Sequence, residues 1–214
     1  MGKSKVVIID YGVGNLLSVQ RAVEACGEEA IISSEAEVIA QGDRLILPGV
    51  GAFANGMHAL TSLGLADVIK ATAADGVPLL GICLGMQLLF NESEEYGLNK
   101  GLGIIPGRVL PVPAQSIDGS RLKIPHIGWY SLVVAEGAEW NQTILKHLTP
   151  RDAVYFVHSY MAVPDDPAVR IADCFYGGNR IPAVVESRNI YGCQFHPEKS
   201  QSIGLRIVAN FLTS

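Results

Sequence analysis

The sequence predicts a mixed α/β fold: a mainly parallel open sheet flanked by helices, with antiparallel hairpins in the C-terminal half. Strand-like and helix-like stretches alternate through the first hundred residues, and the pattern then turns to short extended runs. No internal repeat, low-complexity tract or linker interrupts the chain, so residues 1–214 read as one domain.

Residues 5–10 hold a short β-branched run that stops at a glycine-rich turn, Tyr11-Gly12-Val13-Gly14. Leu16, Val19, Val23 and Cys26 then recur at three- and four-residue steps, which is the spacing of one helix face, and Gly27 follows as a C-terminal cap. Residues 30–33 and 44–47 read as buried strands, 54–74 as one helical stretch holding Gly56 and Gly64, and 77–82 as another strand. Strands joined through helices need right-handed crossovers, hence parallel pairing. Further on, 103–113 and 122–134 are extended, 139–147 is helical, and 154–157, 169–175, 183–186 and 190–195 are strands. Gly177-Gly178-Asn179 and Ser187-Arg188-Asn189 supply hairpin turns, and 203–212 forms a closing helix.

Composition narrows the function classes. With 49% hydrophobic residues the chain can build a substantial core and is not disordered. Sixteen Lys and Arg against 21 Asp and Glu give a net charge of −5 without a basic run, so no nucleic-acid partner is expected. The longest nearly apolar stretch, 77–90, is broken by Gly81, Cys83, Gly85 and Gln87 and falls short of the roughly 18 residues of a membrane span. Residues 1–10 meet Asp10 too early for a signal peptide. Cysteines 26, 83, 174 and 193 lack CxxC or zinc spacing, so no metal or other cofactor is expected, and the thiols suit a reduced, cytoplasmic protein.

Chemistry concentrates at Gly81-Ile82-Cys83-Leu84-Gly85, between an apolar strand and the helix-like run 86–90. That is the context of a nucleophile elbow with Cys in place of Ser. The chain must turn so sharply there that side chains at both flanks would collide, and glycine relieves the crowding. A sulfur at a helix N-terminus is favoured as thiolate, and the Leu84 N–H would face an oxyanion. Most cytosolic cysteines are simply buried; the strand, paired glycines and helix set Cys83 apart.

A thiolate attacking an amide needs an acid for the departing amine and a group that fixes the acid's tautomer. His196-Pro197-Glu198, after the strand 190–195, offers both, although a His beside a Glu is also common on surfaces. Pro48-Gly49-Val50-Gly51 follows a strand at the presumed carboxyl edge of the sheet, where the Val50 N–H would make a second oxyanion donor or the segment serves only as a tight loop. Gln87 shares a helix face with Cys83, and His158-Ser159-Tyr160 ends an apolar run; both are candidates for substrate contact or for satisfied polar groups near the core. Gly12-Val13-Gly14 is not a dinucleotide motif, because Leu17 stands where the third glycine belongs. His58 and His147 are read as structural.

These motifs carry a resemblance that runs nearly end to end. GICLGMQLLF (81–90), QFHPEKS (194–200), PGVG (48–51), FVHSY (156–160) and DYGVGNLLSV (10–19) resemble the glutaminase subunits of imidazole glycerol phosphate synthase, within the triad (class I) glutamine amidotransferases. The resemblance implies hydrolysis of L-glutamine to glutamate and ammonia, with ammonia channelled to a (β/α)8 cyclase partner in a heterodimer of histidine biosynthesis. It implies Cys83 as nucleophile, His196 as acid and base, and Glu198 as orienter. Val50 and Leu84 would form the oxyanion hole, and Gly51, Gln87, Ser159 and Tyr160 would hold glutamine. Asn15, Trp129 and Lys199 would face the cyclase. Tyr130 departs from the family's usual Asn after the HxGW tetrapeptide, which leaves a paralogue serving another synthase, such as one for surface sugars, as an alternative.

Overall fold

A computed structural model describes residues 4–214; residues 1–3, which open the stretch read against a signal peptide, lie outside the described residues. The first half comprises β1 (Lys5–Ile9), α1 (Leu16–Ala25), β2 (Glu29–Ser33), α2 (Ala36–Ala40), β3 (Arg44–Gly49), α3 (Phe53–Ser62), α4 (Leu65–Ala74), β4 (Leu79–Cys83) and α5 (Leu84–Leu88). There follow β5 (Phe90–Ser93), β6 (Asn99–Lys100), β7 (Ile105–Pro111), β8 (His126–Ser131), β9 (Val133–Val134), β10 (Ala153–His158) and β11 (Tyr160–Pro164). The chain ends with β12 (Arg170–Tyr176), β13 (Asn179–Ser187), β14 (Ile190–Cys193) and α6 (Gln201–Leu212).

Eight strands form the central sheet in the order β2-β1-β3-β4-β14-β13-β12-β9. From β2 to β14 every pairing is parallel, and from β14 to β9 every pairing is antiparallel. The inner parallel strands β1, β3 and β4 are nearly unbroken apolar runs because both faces are covered, whereas β2, at the edge, is half exposed. On one face Val6, Ile8, Ile46, Leu80 and Ile82 pack with Val19 and Val23 of α1 and Ile207 and Phe211 of α6. On the other, Val7, Ile9, Leu45, Leu47 and Leu79 meet Leu60 of α3 and Leu65 and Ile69 of α4. Each fully buried aliphatic side chain contributes on the order of 1.5–3 kcal/mol, and together they hold β3, β4 and β14 side by side. Two smaller sheets, β8–β10 and β11-β7-β5-β6, stand beside this core.

Two expected helices differ. The stretch 54–74 is divided into α3 and α4, since Gly64 takes φ +69° and Leu63 ends the first helix. Glycine adopts that left-handed backbone without a Cβ clash, so the chain turns where a longer helix would have overshot the sheet.

Residues 139–147, expected to be helical, form a series of turns. The Trp140 indole donates to the Ile171 carbonyl at 2.7 Å, Thr143 Oγ1 binds the backbone at Trp140 and Leu145, and Asn210 Nδ2 donates to the carbonyls of Ile144 and Lys146. Side chains thus take the groups a helix ladder would use, and His147 at φ +66° completes the departure. The five-residue α2 is shorter than the apolar period needed to detect it.

Candidate active site

Three strand ends meet at the carboxyl edge of the sheet. Cys83 ends β4 with Gly49 of β3 as its register partner on one side, and β14 on the other side pairs Cys193 with Ile82, so Gln194 to His196 emerge next to the sulfur. Cys83 has φ +54° and ψ −109°, a conformation that a non-glycine residue holds only under constraint. The flanking glycines supply that constraint. A Cβ on Gly81 would lie 2.7 Å from the backbone of Met86, and a Cβ on Gly85 would collide with the Leu47 carbonyl oxygen. The steric reading of the sequence therefore describes the observed turn.

His196 Nδ1 and Glu198 Oε1 are 2.8 Å apart, with side chains 2% and 1% exposed. A short 3₁₀ turn, Pro197–Lys199, carries Glu198 back beneath the ring. That turn is anchored to β10: Ser200 Oγ donates to the His196 carbonyl at 2.7 Å and accepts the Tyr155 N–H at 3.0 Å. Burial favours the neutral ring, but hydrogen bonding to the Cys83 sulfur and to Glu198 outweighs it, pushing the His196 pKa up to about 9.

Cys83, His196, Val50, Gly51, Leu84, Gln87, Ser159 and Tyr160 all line one cavity of about 330 Å³, together with Glu95, Pro125, Val157 and His158. Gln87 lines it but is already engaged. Its Nε2 donates to the Tyr160 carbonyl at 2.8 Å and to Gln194 Oε1 at 3.0 Å. Gln194 Nε2 in turn lies 3.9 Å from the Cys83 sulfur.

Asn15 stands at the N-terminus of α1, Trp129 is 47% exposed on β8, and Lys199 is exposed in the 3₁₀ turn. Both α1 and β10 pack on that turn, and Trp129 lies against Tyr155 of β10 with ring centroids 6.0 Å apart. Tyr130 points the other way on β8, inward, against His126 and Tyr176 with centroids 4.3 and 5.8 Å apart. Tyr130 therefore packs behind β8, while Ile127 and Trp129 form the exposed side.

Sequence reasoning passed over Tyr11, Glu95, Gln194 and the ring of His126. Glu95 is the sole acid of the cavity lining; its Oε2 accepts the Phe53 N–H at 2.6 Å at the start of α3. Its acidic neighbours Glu92 and Glu94 hide it, since nothing in the spacing singles out one of the three. His158 Nδ1 donates to the Tyr160 carbonyl at 2.8 Å, which fixes its tautomer and leaves Nε2 to accept from His126 Nδ1 at 2.9 Å. Both rings are buried, and burial pushes their pKa values down to about 3 for His158 and about 4 for His126.

An unfolded chain protonates these rings near pH 6.5, well before the folded one does. Their contribution to stability is complete above pH 6.5 and is lost as pH falls toward 4. Burial pushes the Glu186 carboxyl pKa up to about 7, which acts in the opposite sense over this range, so the clean measurement is a Glu186→Gln variant. Its thermal unfolding midpoint should drop between pH 7 and pH 5, and a flat profile there would contradict buried, neutral rings.

Among the described residues, no cluster of three or more His, Cys, Asp and Glu is arranged for a metal, and no helix is long and apolar enough to cross a membrane. All four cysteines are free; burial pushes the thiols of Cys174 and Cys193 up, which leaves them unreactive.

The glutamine amidotransferase class-I family profile matches residues 7–214. The chain belongs to the class-I glutamine amidotransferase family. It is 52% identical over 210 residues to imidazole glycerol phosphate synthase subunit HisH 1 of Legionella pneumophila (strain Lens), covering 98% of this chain and 99% of that protein. It is 49% identical over 204 residues to imidazole glycerol phosphate synthase subunit HisH of Geobacillus sp. (strain WCH70), covering 95% and 94%. Among solved structures, PurLQS from Thermotoga maritima superposes with a TM-score of 0.69 at 20% identity, covering 99% of this chain and 99% of that one. At that identity the likeness is one of fold. This amidotransferase is thus an enzyme built on the class-I fold, with a mostly parallel sheet and antiparallel strands in its C-terminal half.

Proposed function

We propose that this chain, as one amidotransferase domain in the cytoplasm, is the glutaminase subunit of imidazole glycerol phosphate synthase and passes ammonia to a cyclase partner. The observation that carries the reading is the strained Cys83 facing a cavity it shares with a His196 that is hydrogen-bonded to Glu198.

Cys83 Sγ attacks the side-chain carboxamide carbon of glutamine, and the oxyanion that forms is held by the N–H groups of Leu84 and Val50. His196 delivers its proton to the leaving nitrogen, which departs as ammonia. Water, deprotonated by His196, then cleaves the glutamyl thioester and releases glutamate. Glu198 keeps the ring in the tautomer that presents Nε2 to the sulfur. Glu95 suits the α-ammonium of the substrate, and Gly51, Ser159 and Tyr160 offer polar groups around it. The engagement of Gln87 with Tyr160 and Gln194 favours a part in shaping the pocket as well as touching glutamine.

Leu17, Val50, Ile127 and Trp129 are exposed apolar residues. Val50 lines the cavity, Trp129 lies against Tyr155 of β10, and α1, which follows Asn15 and carries Leu17, packs with β10 on the turn that holds Lys199. This is the face proposed for the (β/α)8 cyclase. The alternative partner, a synthase of another pathway, rests on Tyr130, whose inward packing gives it no support.

Ammonia release from glutamine tests the reading. The isolated chain is expected to be slow and its complex with the cyclase fast, because the Gly49–Val50 peptide can turn its N–H away from the oxyanion at little cost. A Glu198→Gln variant of the complex should lose on the order of 10⁴ in kcat, the penalty of a wrongly oriented imidazole. A wild-type complex inert toward glutamine would overturn the reading.

A further inference from the structure

Tyr11, from the turn after β1, reaches across to the end of β3. Its side chain is 2% exposed, and its phenol donates to the Pro48 carbonyl at 2.7 Å. Pro48 is held in two further ways. Its ring locks φ, and Gly14 sits against that ring, where a Cβ would lie 3.4 Å from Pro48 Cβ and Cγ. Gly49 then passes so close to the phenol oxygen that any Cβ would strike it, while the same Cβ would lie 2.9 Å from the Gly85 nitrogen and Leu84 Cβ. Gly51, with φ +99°, ends the segment.

We propose that Tyr11 is a positioning residue for acyl transfer at Cys83: by tying down the Pro48 carbonyl, it fixes the base from which the Gly49–Val50 peptide presents its N–H to the oxyanion. The inference rests on the reading of Val50 as an oxyanion donor. A peptide plane rotates about the bonds that flank it. With Pro48 held at both its ring and its carbonyl, rotation is confined to ψ of Gly49 and φ of Val50. Without the phenol, ψ of Pro48 is held by the pairing of β3 with β4 alone, and the donor sweeps a wider arc and spends less time on target. Ground-state glutamine makes no use of this donor, so the loss falls on turnover and not on substrate affinity.

Tyr11→Phe keeps the ring and removes one oxygen. In the complex with the cyclase, its kcat for ammonia release should fall about tenfold, less than the 10²–10³ of a missing oxyanion donor, with KM within about twofold of wild type. Its thermal unfolding midpoint should stay within a few degrees of the parent's. A kcat within twofold of wild type, a higher kcat, or a KM that rises in step with the lost turnover would overturn the assignment of Tyr11. A wild-type complex that releases no ammonia would instead overturn the glutaminase reading beneath it.

Discussion

Cys83→Ala is expected to reduce ammonia release from glutamine by a factor of order 10⁴–10⁶, because no other group in the cavity can form the thioester. The residue already carries a Cβ at φ +54°, so alanine adds no backbone strain, and the unfolding midpoint should change little. A synthase complex containing this variant should still use free ammonium salts. Retained glutamine turnover would remove Cys83 from the mechanism, and loss of both activities would point to a damaged interface.

Gly85→Ala should be the most damaging small substitution in the chain. Its Cβ would fall onto the Leu47 carbonyl oxygen and lie 2.8 Å from the Leu47 carbonyl carbon. Leu47 belongs to β3 in the middle of the sheet, where its register partner is Gly81 of β4, so backbone on both sides would have to move. A cost of more than about 4 kcal/mol follows, enough to consume much of a typical domain's stability. Denaturant unfolding or soluble yield would read it, against Ser62→Ala on the exposed side of α3, which should stay within about 0.5 kcal/mol. A Gly85→Ala protein of normal stability would mean that the elbow is less crowded than this geometry requires.

Much of the site was legible because its constraints are local. Gly81, Cys83 and Gly85 declare themselves by spacing, and His196 and Glu198 are two residues apart, so one tight turn after a strand suffices to join them. The parallel half of the sheet was legible for a similar reason: unbroken apolar runs separated by amphipathic helices allow few other arrangements. What escaped depends on contacts between distant segments. Tyr11 acts on Pro48 at a separation of 37 residues and Gln194 on Gln87 at 107, and neither carries a local pattern that tells of its partner. The misread helix at 139–147 belongs to the same class. Asn210, more than sixty residues away, claims the carbonyls of Ile144 and Lys146, and no propensity within the segment reveals that.

The pairing of β14 with β4 sets the order in which chemistry becomes possible during synthesis of the chain. The sulfur belongs to β4, but the imidazole arrives only once β14, more than a hundred residues further along the chain, has been inserted against β4. A ribosome-bound fragment ending before Ile190 would hold the Cys83 thiol without its His196–Glu198 pair. Reactivity is acquired in one late event, when the last parallel strand closes the seam between the two halves of the sheet.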